Sequence, residues 1–470
     1  MSLLSVFNNA RSSLSVTSQQ SALIARNVAN ADDPTATRKY ANQISEKPGA
    51  VKILSIAQSS DPALYRTMVK AQASHATNET MAKALDRVRD VIGDVDAPTS
   101  PSAKIAALKG TLTDLAASPE NTKLQRAAID AAHDMASSLN NATKAVQTMR
   151  TDANTELAQG ADRLNTLLGD LETVNNKVVG GTVSGKDVTD EIDQRDRLVS
   201  EISSLVGVST RYRANNDLVL STDSGIVMFE TRARSVEFAN PSNFNPAIPL
   251  DPATPLPAAP ELKIDGVSIG TGSSMAVRDG SLVAAIRIRD EVGVEMQRQF
   301  NQISSTLAGK TFAEDGAASL FELSANGFVS VAASVDYRVG GDPTKLRDGN
   351  INPGSTALPG AGEAGYATRL NELIDRFSDV HTLANGESGT LSDLAAGSMS
   401  WFEGKRAEAR DGASYQSIMV SRARETLSNE TGVNLDEEMS RLMELERSYQ
   451  AASKLIQTVG DLLDRLLAIR

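Results

Sequence analysis

Gly180-Gly181-Thr182-Val183-Ser184-Gly185-Lys186-Asp187 falls one residue short of the phosphate-binding loop G-x-x-x-x-G-K-[ST]. In that loop backbone amides cradle the phosphates and the last hydroxyl reaches a magnesium ion. Here the last position is Asp187, whose carboxylate repels phosphate. The residues before Gly180 also read as helix, where the loop needs a strand, so the segment reads as a glycine linker between helices. His75, His133 and His381 are far apart, and none has the i, i+4 partner of a helical metal site. Each lies in a stretch that reads as helical, which predicts surface or half-buried packing. No serine sits in a G-x-S-x-G turn, so no hydrolase nucleophile is marked. Acidic residues are plentiful, but their spacing singles out no general acid and base. The sequence therefore marks no catalytic residue, cofactor site or metal site, and a catalytic carboxylate pair stays open at this point.

Asp193-Gln194-Arg195-Asp196 is of more interest as structure. Glu191, Asp193 and Asp196 mix with Arg195 and Arg197 on a helix whose apolar side is Ile192, Leu198, Val199, Ile202 and Leu205. Two readings fit: a solvated charged face, or an Arg195 fork gripping a carboxylate across a helix interface.

Such residues need elements to hold them, and the clearest elements are at the two ends of the chain. Leu442, Leu445, Tyr449, Ala452, Ile456, Val459, Leu463 and Leu466 are all apolar at alternating spacings of three and four, the seam of a coiled coil. Arg441, Glu444, Arg447, Gln450, Lys454, Asp461, Asp464 and Arg465 make the other side polar. So narrow a stripe needs a partner helix. The first segment carries a similar one: Leu3, Phe7, Ala10, Leu14, Thr17, Ser21, Ile24 and Val28, with Thr17 and Ser21 weakening its middle. The economical expectation is that the two pair with each other, or with copies in neighbouring subunits. Two surface helices on an ordinary globular core are the plainer alternative, and their placement at opposite ends argues for a shared stalk. A stripe with an incomplete partner is expected to order only on assembly.

Between the ends, Asp32-Asp33-Pro34 stops the first helix near Asn30. Residues 35–60 show no clean period; Lys47-Pro48-Gly49 reads as a turn and residues 51–54 as a short strand. Helical stretches follow over 62–92, 102–117, 120–178 and 187–205, with Ser118 capping a helix that starts at Pro119. The 120–178 run is long enough to predict a rod. From Gly207 short β-branched segments separated by turn residues read as strands and hairpins. A proline-rich surface loop spans 241–260, and a hairpin covers 262–269. Helix returns over 280–307, β-leaning sequence over 321–339, and helices over 366–383 and 391–430.

At 470 residues the chain has room for two to four domains. Aromatic content of 4% points to extended helical layers rather than one large core. The formal charge of −12 argues against nonspecific binding to nucleic acid or an anionic membrane. The absence of cysteine excludes disulfides and thiolate chemistry. The first residues lack the pattern of a secretory signal, and no apolar run approaches the roughly 20 residues of a membrane span. On these signals alone the chain is cytoplasmic, unless an export route needs no cleaved signal.

Gly432-Val433-Asn434-Leu435-Asp436-Glu437-Glu438-Met439, with Leu442, Tyr449-Gln450-Ala451 and the seam beyond, closely resembles the C-terminus of bacterial flagellar axial proteins. Within that family it is most similar to those at the hook–filament junction. Asn27-Val28-Ala29-Asn30-Ala31 matches the family's N-terminal helix end. Asp193-Gln194-Arg195-Asp196 and the run from Asp279 to Asp290 resemble its internal signatures, so the likeness touches four separated places in the expected order. After Asn30 the chain lacks the glycine and tyrosine usual in the family, Glu446 replaces a common glutamine, and the middle β region is short.

The resemblance implies a non-enzymatic building block, without cofactors, joining hook to filament and required for filament assembly. It implies export unfolded through the flagellar type III channel with no cleaved signal, and an extracellular place on the flagellum. The implied partners are copies of itself in a ring, the hook protein, the second junction protein and filament, and an export chaperone at the C-terminal helix. The second junction protein, a flagellin, or an exported enzyme on an axial scaffold are the rival identities; for the last, no candidate residue stands out. The expected fold is mainly α with a smaller β part. Residues 1–58 and 427–470 form an inner domain of terminal coiled-coil helices, 59–206 and 281–426 a long helical-rod middle domain, and 207–280 a distal β-rich outer domain. Assembly is expected to rest on Leu3, Phe7, Leu14, Ile24, Val28, Leu442, Leu445, Tyr449, Ile456, Val459, Leu463 and Leu466.

Overall fold

The computed structural model describes residues 3–46, 49–94, 97–239, 241–251, 253–312, 319–351, 358–382 and 388–468, apart from the side chains of residues 3, 4, 466 and 467. Helix α1 (Leu3–Ala29) ends where the Asn30–Asp33 turn and Pro34 stop it. A hairpin follows, β1 (Lys39–Glu46) antiparallel to β2 (Ala50–Gln58). The sequence marked only part of β2; the expected turn at Lys47-Pro48 lies outside the described residues.

Helix α2 (Pro62–Ile92) starts under Asp61, whose carboxylate accepts from the amides of Ala63 and Leu64, with Pro62 in the first turn. Helix α3 (Pro101–Ala117) leads to α4 (Thr122–Val183), 62 residues and so about 93 Å long. The start of α4 differs from the sequence reading. Ser118-Pro119-Glu120 is a turn, Asn121 caps the helix by accepting from Lys123 N, and Gln125 Nε2 donates 2.8 Å to Pro119 O. Its end differs too. Gly180 and Gly181 lie inside the helix, and a Cβ on Gly181 would come within 2.2 Å of Val188 Cγ1. The break falls at Ser184-Gly185, where Gly185 has φ +68°. Gly181 allows close approach to the chain entering α5 (Thr189–Leu205), and neither glycine is a linker.

Strands β3 (Val208–Tyr212), β4 (Leu218–Thr222), β5 (Val227–Glu230) and β6 (Arg232–Ala233) form an antiparallel sheet in that order. A second sheet holds β7 (Val236–Phe238), β8 (Leu262–Ile264) and β9 (Val267–Ser268). Both lie along α4, and carboxamides on that helix fasten them. Asn165 gives and takes one hydrogen bond each with Val236 O and N, at 2.8 and 2.9 Å. Buried Asn175 accepts from Leu218 N at 3.0 Å. The proline-rich 241–260 segment is strapped down in the same way: Asn154 donates to Pro241 O, Arg150 to Pro246 O, and Asn301 to Ile248 O and Pro249 O.

Helices α6 (Ser281–Arg287) and α7 (Gly293–Thr306) are one rod joined through a widened turn at Ile288–Val292. Close packing of Gly293 on Arg150 accompanies that turn, since a Cβ there would meet Arg150 Cγ at 2.6 Å. A small hairpin, β10 (Phe321–Leu323) with β11 (Val329–Val331), is held on α4 by Asn140. Then come α8 (Thr344–Asp348), α9 (Thr368–Arg376) and the strand pair β12 (His381–Thr382) and β13 (Ser388–Gly389). The helix expected through residue 383 stops at Arg376, so His381 lies buried on a strand and not on a helix.

Helix α10 (Leu391–Thr431) opens with a reciprocal Thr390–Asp393 cap and runs antiparallel to α2. Arg406 meets Asp86 near one end, and Ser59 reaches Glu430 O at the other. The chain closes with α11 (Leu435–Ala468), packed on α1. One continuous apolar core runs through α2–α7, α9, α10 and the strands docked on α4.

Candidate functional site: the terminal helix pair and the polar joint at its base

Asn434 caps α11, accepting from Asp436 N and Glu437 N. The helix then runs antiparallel to α1, with Asn27 opposite Glu438 and Ile24 beside Leu445 across a shared groove. Of the seam residues, Ile24 and Val459 are buried, while Phe7, Leu14, Val28, Leu442, Leu445 and Ile456 are half-buried. Tyr449 and Leu463 remain 45% and 41% exposed. Leu3 and Leu466 sit on the helices, with side chains outside the described residues. Val16 and Leu23 are buried too, outside the seam, because the β1–β2 hairpin covers a second face of α1; Val51 N donates to Ser12 Oγ there. Thr17 and Ser21 turn their hydroxyls onto Ser13 O and Thr17 O, so the buried Thr17 carries no unpaired donor.

The apolar arc of α11 is wider than α1 covers. Leu435, Met439 and Met443 flank the seam on one side and Leu455 and Leu462 on the other, each between 43% and 53% exposed. With Tyr449 and Leu463 they make an unpartnered apolar surface along the helix pair.

At the base of this pair, polar side chains from three distant parts of the chain converge. Asn27 accepts from Lys39 N at 3.0 Å and donates to Lys39 O at 2.8 Å and to Glu438 Oε2 at 3.0 Å. Glu438 is 1% exposed and also takes Arg38 Nε at 2.8 Å. Buried Lys39 pairs with buried Asp193, whose other oxygen accepts from Thr37 Oγ1 at 2.6 Å. Arg26 reaches Asp187 at 2.7 Å and Asp190 at 2.6 Å, and Arg197 reaches Asp33 at 3.3 Å. Burial would lift the Asp187 carboxyl, but its bonds from Arg26 and Thr189 hold it below its usual range. Asp33 is likewise held low, mainly by its hydrogen bonds from Thr35.

Arg195 fits neither reading of its motif. It is buried, with no bidentate carboxylate among the described residues: it donates to Asn216 O at 2.6 Å and lies over the Tyr212 ring at 5.0 Å. Asp196, 3.8 Å from Arg195 Nε, has a buried Oδ1 that accepts no hydrogen bond among the described residues. Burial pushes this carboxyl up to about 7, with the charge on Asp193 adding to the shift. Lys39 gave no signal in the sequence, being a lone lysine in a stretch without period. Asp193 within its motif, and Asn27 and Glu438 within the runs that carry the resemblance, did point here.

In the loop resembling a phosphate site, Gly180 and Gly181 lie within α4 and Asp187 is engaged by Arg26. His75 lies 3.7 Å from Glu79 and His133 lies 2.9 Å from Asp336. Among the described residues no cluster of three or more His, Cys, Asp or Glu is placed to hold a metal, and no helix is long and apolar enough to cross a membrane. What the geometry offers is a fastening between helices and an uncovered apolar face.

Residues 85–312 match the family model described as the flagellar hook-associated protein FlgK helical domain. Residues 426–469 match that of the flagellar basal body rod FlgEFG protein C-terminal. Flagellar hook-associated protein 1 of Bacillus subtilis (strain 168) is 21% identical over 415 residues, covering 83% of this chain and 80% of that protein. The structure of the flagellar hook junction protein FlgK from Burkholderia pseudomallei overlaps 55% of this chain and 47% of its own, at 18% identity and a TM-score of 0.44.

Proposed function

We propose that this chain, a structural protein of the bacterial flagellum from the hook–filament junction family, joins hook to filament by packing copies of itself through the uncovered face of its terminal helix pair. The observation that carries this is the mismatch between the two helices. The apolar arc of α11 extends past α1 on both sides, leaving Tyr449, Leu455, Leu462 and Leu463 open. Burying one such side chain contributes roughly 1.5–3 kcal/mol, and a row of them along a helix supports a ring of neighbours. In this reading Phe7, Leu14, Ile24, Val28, Leu442, Leu445, Ile456 and Val459 hold the pair together, and the exposed residues hold the copies together. Leu3 and Leu466 are assigned the same role from their spacing in the sequence.

The rest of the proposal follows from the family. The chain leaves the cell through the flagellar export channel without a cleaved signal, an export chaperone holding the C-terminal helix on the way. It then stands between the hook protein and the second junction protein that precedes the filament. It works as a building block, with no catalytic step. The domains divide at the joint, 1–58 and 427–470 inward, 59–206 and 281–426 as the rod, and 207–280 outermost.

Cells whose only copy carries Tyr449→Asp with Leu463→Asp are expected to keep a complete hook, to lack attached filaments, and to release this chain and unpolymerised flagellin into the medium. Motile cells with attached filaments would contradict the assignment of the surface.

A further inference from the structure

The chain has no cysteine, so its oxidisable sulfur lies entirely in methionine. Six of the described methionines are buried, and Met81, Met275 and Met419 are half-buried. Only Met439 and Met443 stand open among the described residues, 47% and 53% exposed. They lie one turn apart on α11, on the ridge that begins at Leu435 and flanks the seam. We propose that this pair is an oxidation site through which peroxide controls assembly: sulfoxides formed here in the free chain keep it from joining a second copy. The proposal rests on the reading of this face as the surface between copies.

The step is an oxygen transfer. The thioether sulfur attacks one oxygen of hydrogen peroxide, the O–O bond breaks and an S–O bond forms, and the second oxygen leaves as water with both protons. Sulfur loses two electrons and the peroxide gains them. The product places a strong hydrogen-bond acceptor on a ridge that was apolar. Around Met439 the side chains one turn away are Leu435, Asp436, Leu442 and Met443, none of which has a hydrogen bond to donate at neutral pH. Met443 has Ser440 and Arg447 within a turn, so the heavier penalty falls at Met439. In the free chain the new oxygen stays in water at no cost. Packed against a second copy it loses that water, so the penalty falls on the assembled state alone.

Trypsin cuts after Arg424, Arg441 and Arg447, so mass spectrometry follows each sulfur in its own peptide. In the purified full chain under hydrogen peroxide, both should oxidise about tenfold or more faster than the fully buried Met135, Met228 and Met399. In cells building new flagella under sublethal peroxide, the share of hooks bearing filaments should fall about tenfold, with the sulfoxides in the released chain. A chain with Met439→Leu and Met443→Leu cannot take the oxygen, so peroxide should not lower its filament count from the level it reaches without peroxide. Equal oxidation of buried and exposed sulfurs, a wild-type count indifferent to peroxide once both sulfurs are oxidised, or a leucine pair as sensitive as wild type would each overturn the proposal. Should the leucine pair build no filaments, the wild-type chain decides. Sulfoxides about tenfold scarcer in isolated flagella than in released chain support the site, and equal abundance overturns it. The Tyr449→Asp with Leu463→Asp cells separate the two readings. Filaments on those cells sink the surface itself; their absence, beside wild-type cells indifferent to peroxide, sinks only the oxidation site.

Discussion

Lys39 and Asp193 show how much of the joint depends on two buried charges that satisfy each other. Removing one partner of such a pair costs about 3–5 kcal/mol when the other is left unpaired; Lys39 keeps Thr37 O at 3.2 Å and Asp190 at 3.5 Å, so the loss here is expected below that range. Asp193→Asn should therefore loosen α1 and the hairpin from α5, seen as faster protease cleavage between residues 30 and 38 with the rod intact. Adding Lys39→Met should recover part of the loss, because the buried ammonium, then held only by Thr37 O and the more distant Asp190, is gone and the substituted carboxamide can still accept from Thr37. Equal cleavage in the single and double variants would mean the pair is not what holds the joint. Little of this was legible beforehand. The Asp193-Gln194-Arg195-Asp196 motif was visible, but its partner Lys39 lies 154 residues away, and Arg195, the residue with the obvious chemistry, turned out to grip a backbone carbonyl and a tyrosine ring instead.

The helices were legible where period and breaks agreed, as at the starts of α2 and α10 and along the α11 seam, whereas the cap read from the sequence, Ser118 before Pro119, is not the start of α4. The β1–β2 hairpin was not. Its first strand is Lys-Tyr-Ala-Asn-Gln-Ile-Ser-Glu, poor in β-branched residues, and an irregularity between Asn42 and Gln43 breaks the alternation. The same limit hid how the strands attach. An asparagine on a helix gives no pattern in sequence, yet Asn140, Asn165 and Asn175 each hold a strand edge against α4. Asn175→Ala would strand the amide of Leu218 and free Asp217 and Arg195 from a shared partner. Global stability is expected to fall by roughly 1–3 kcal/mol in denaturant titration, with the helical content unchanged. A loss near zero would show that the sheet docks by its apolar face alone.

Taken whole, the molecule is a rod about 93 Å along α4 with a two-helix terminus fastened at its base through the joint. The order of helix, helices, strands and returning helices along the chain was readable from composition and breaks, because each change of period is local. The pairing of α1 with α11 was also readable, since a narrow apolar stripe must be covered. That α11 carries more apolar surface than α1 can cover required the structure: Leu455 and Leu462 lie off the seam and look like ordinary surface residues in sequence. The central claim is that this surplus surface joins copies of the chain. Because the chain has no cysteine, a single Leu462→Cys can be labelled with a maleimide in the free chain and in isolated flagella. The account predicts rapid labelling of the free chain and at least a tenfold slowing in the assembled structure; equal rates in both would contradict it.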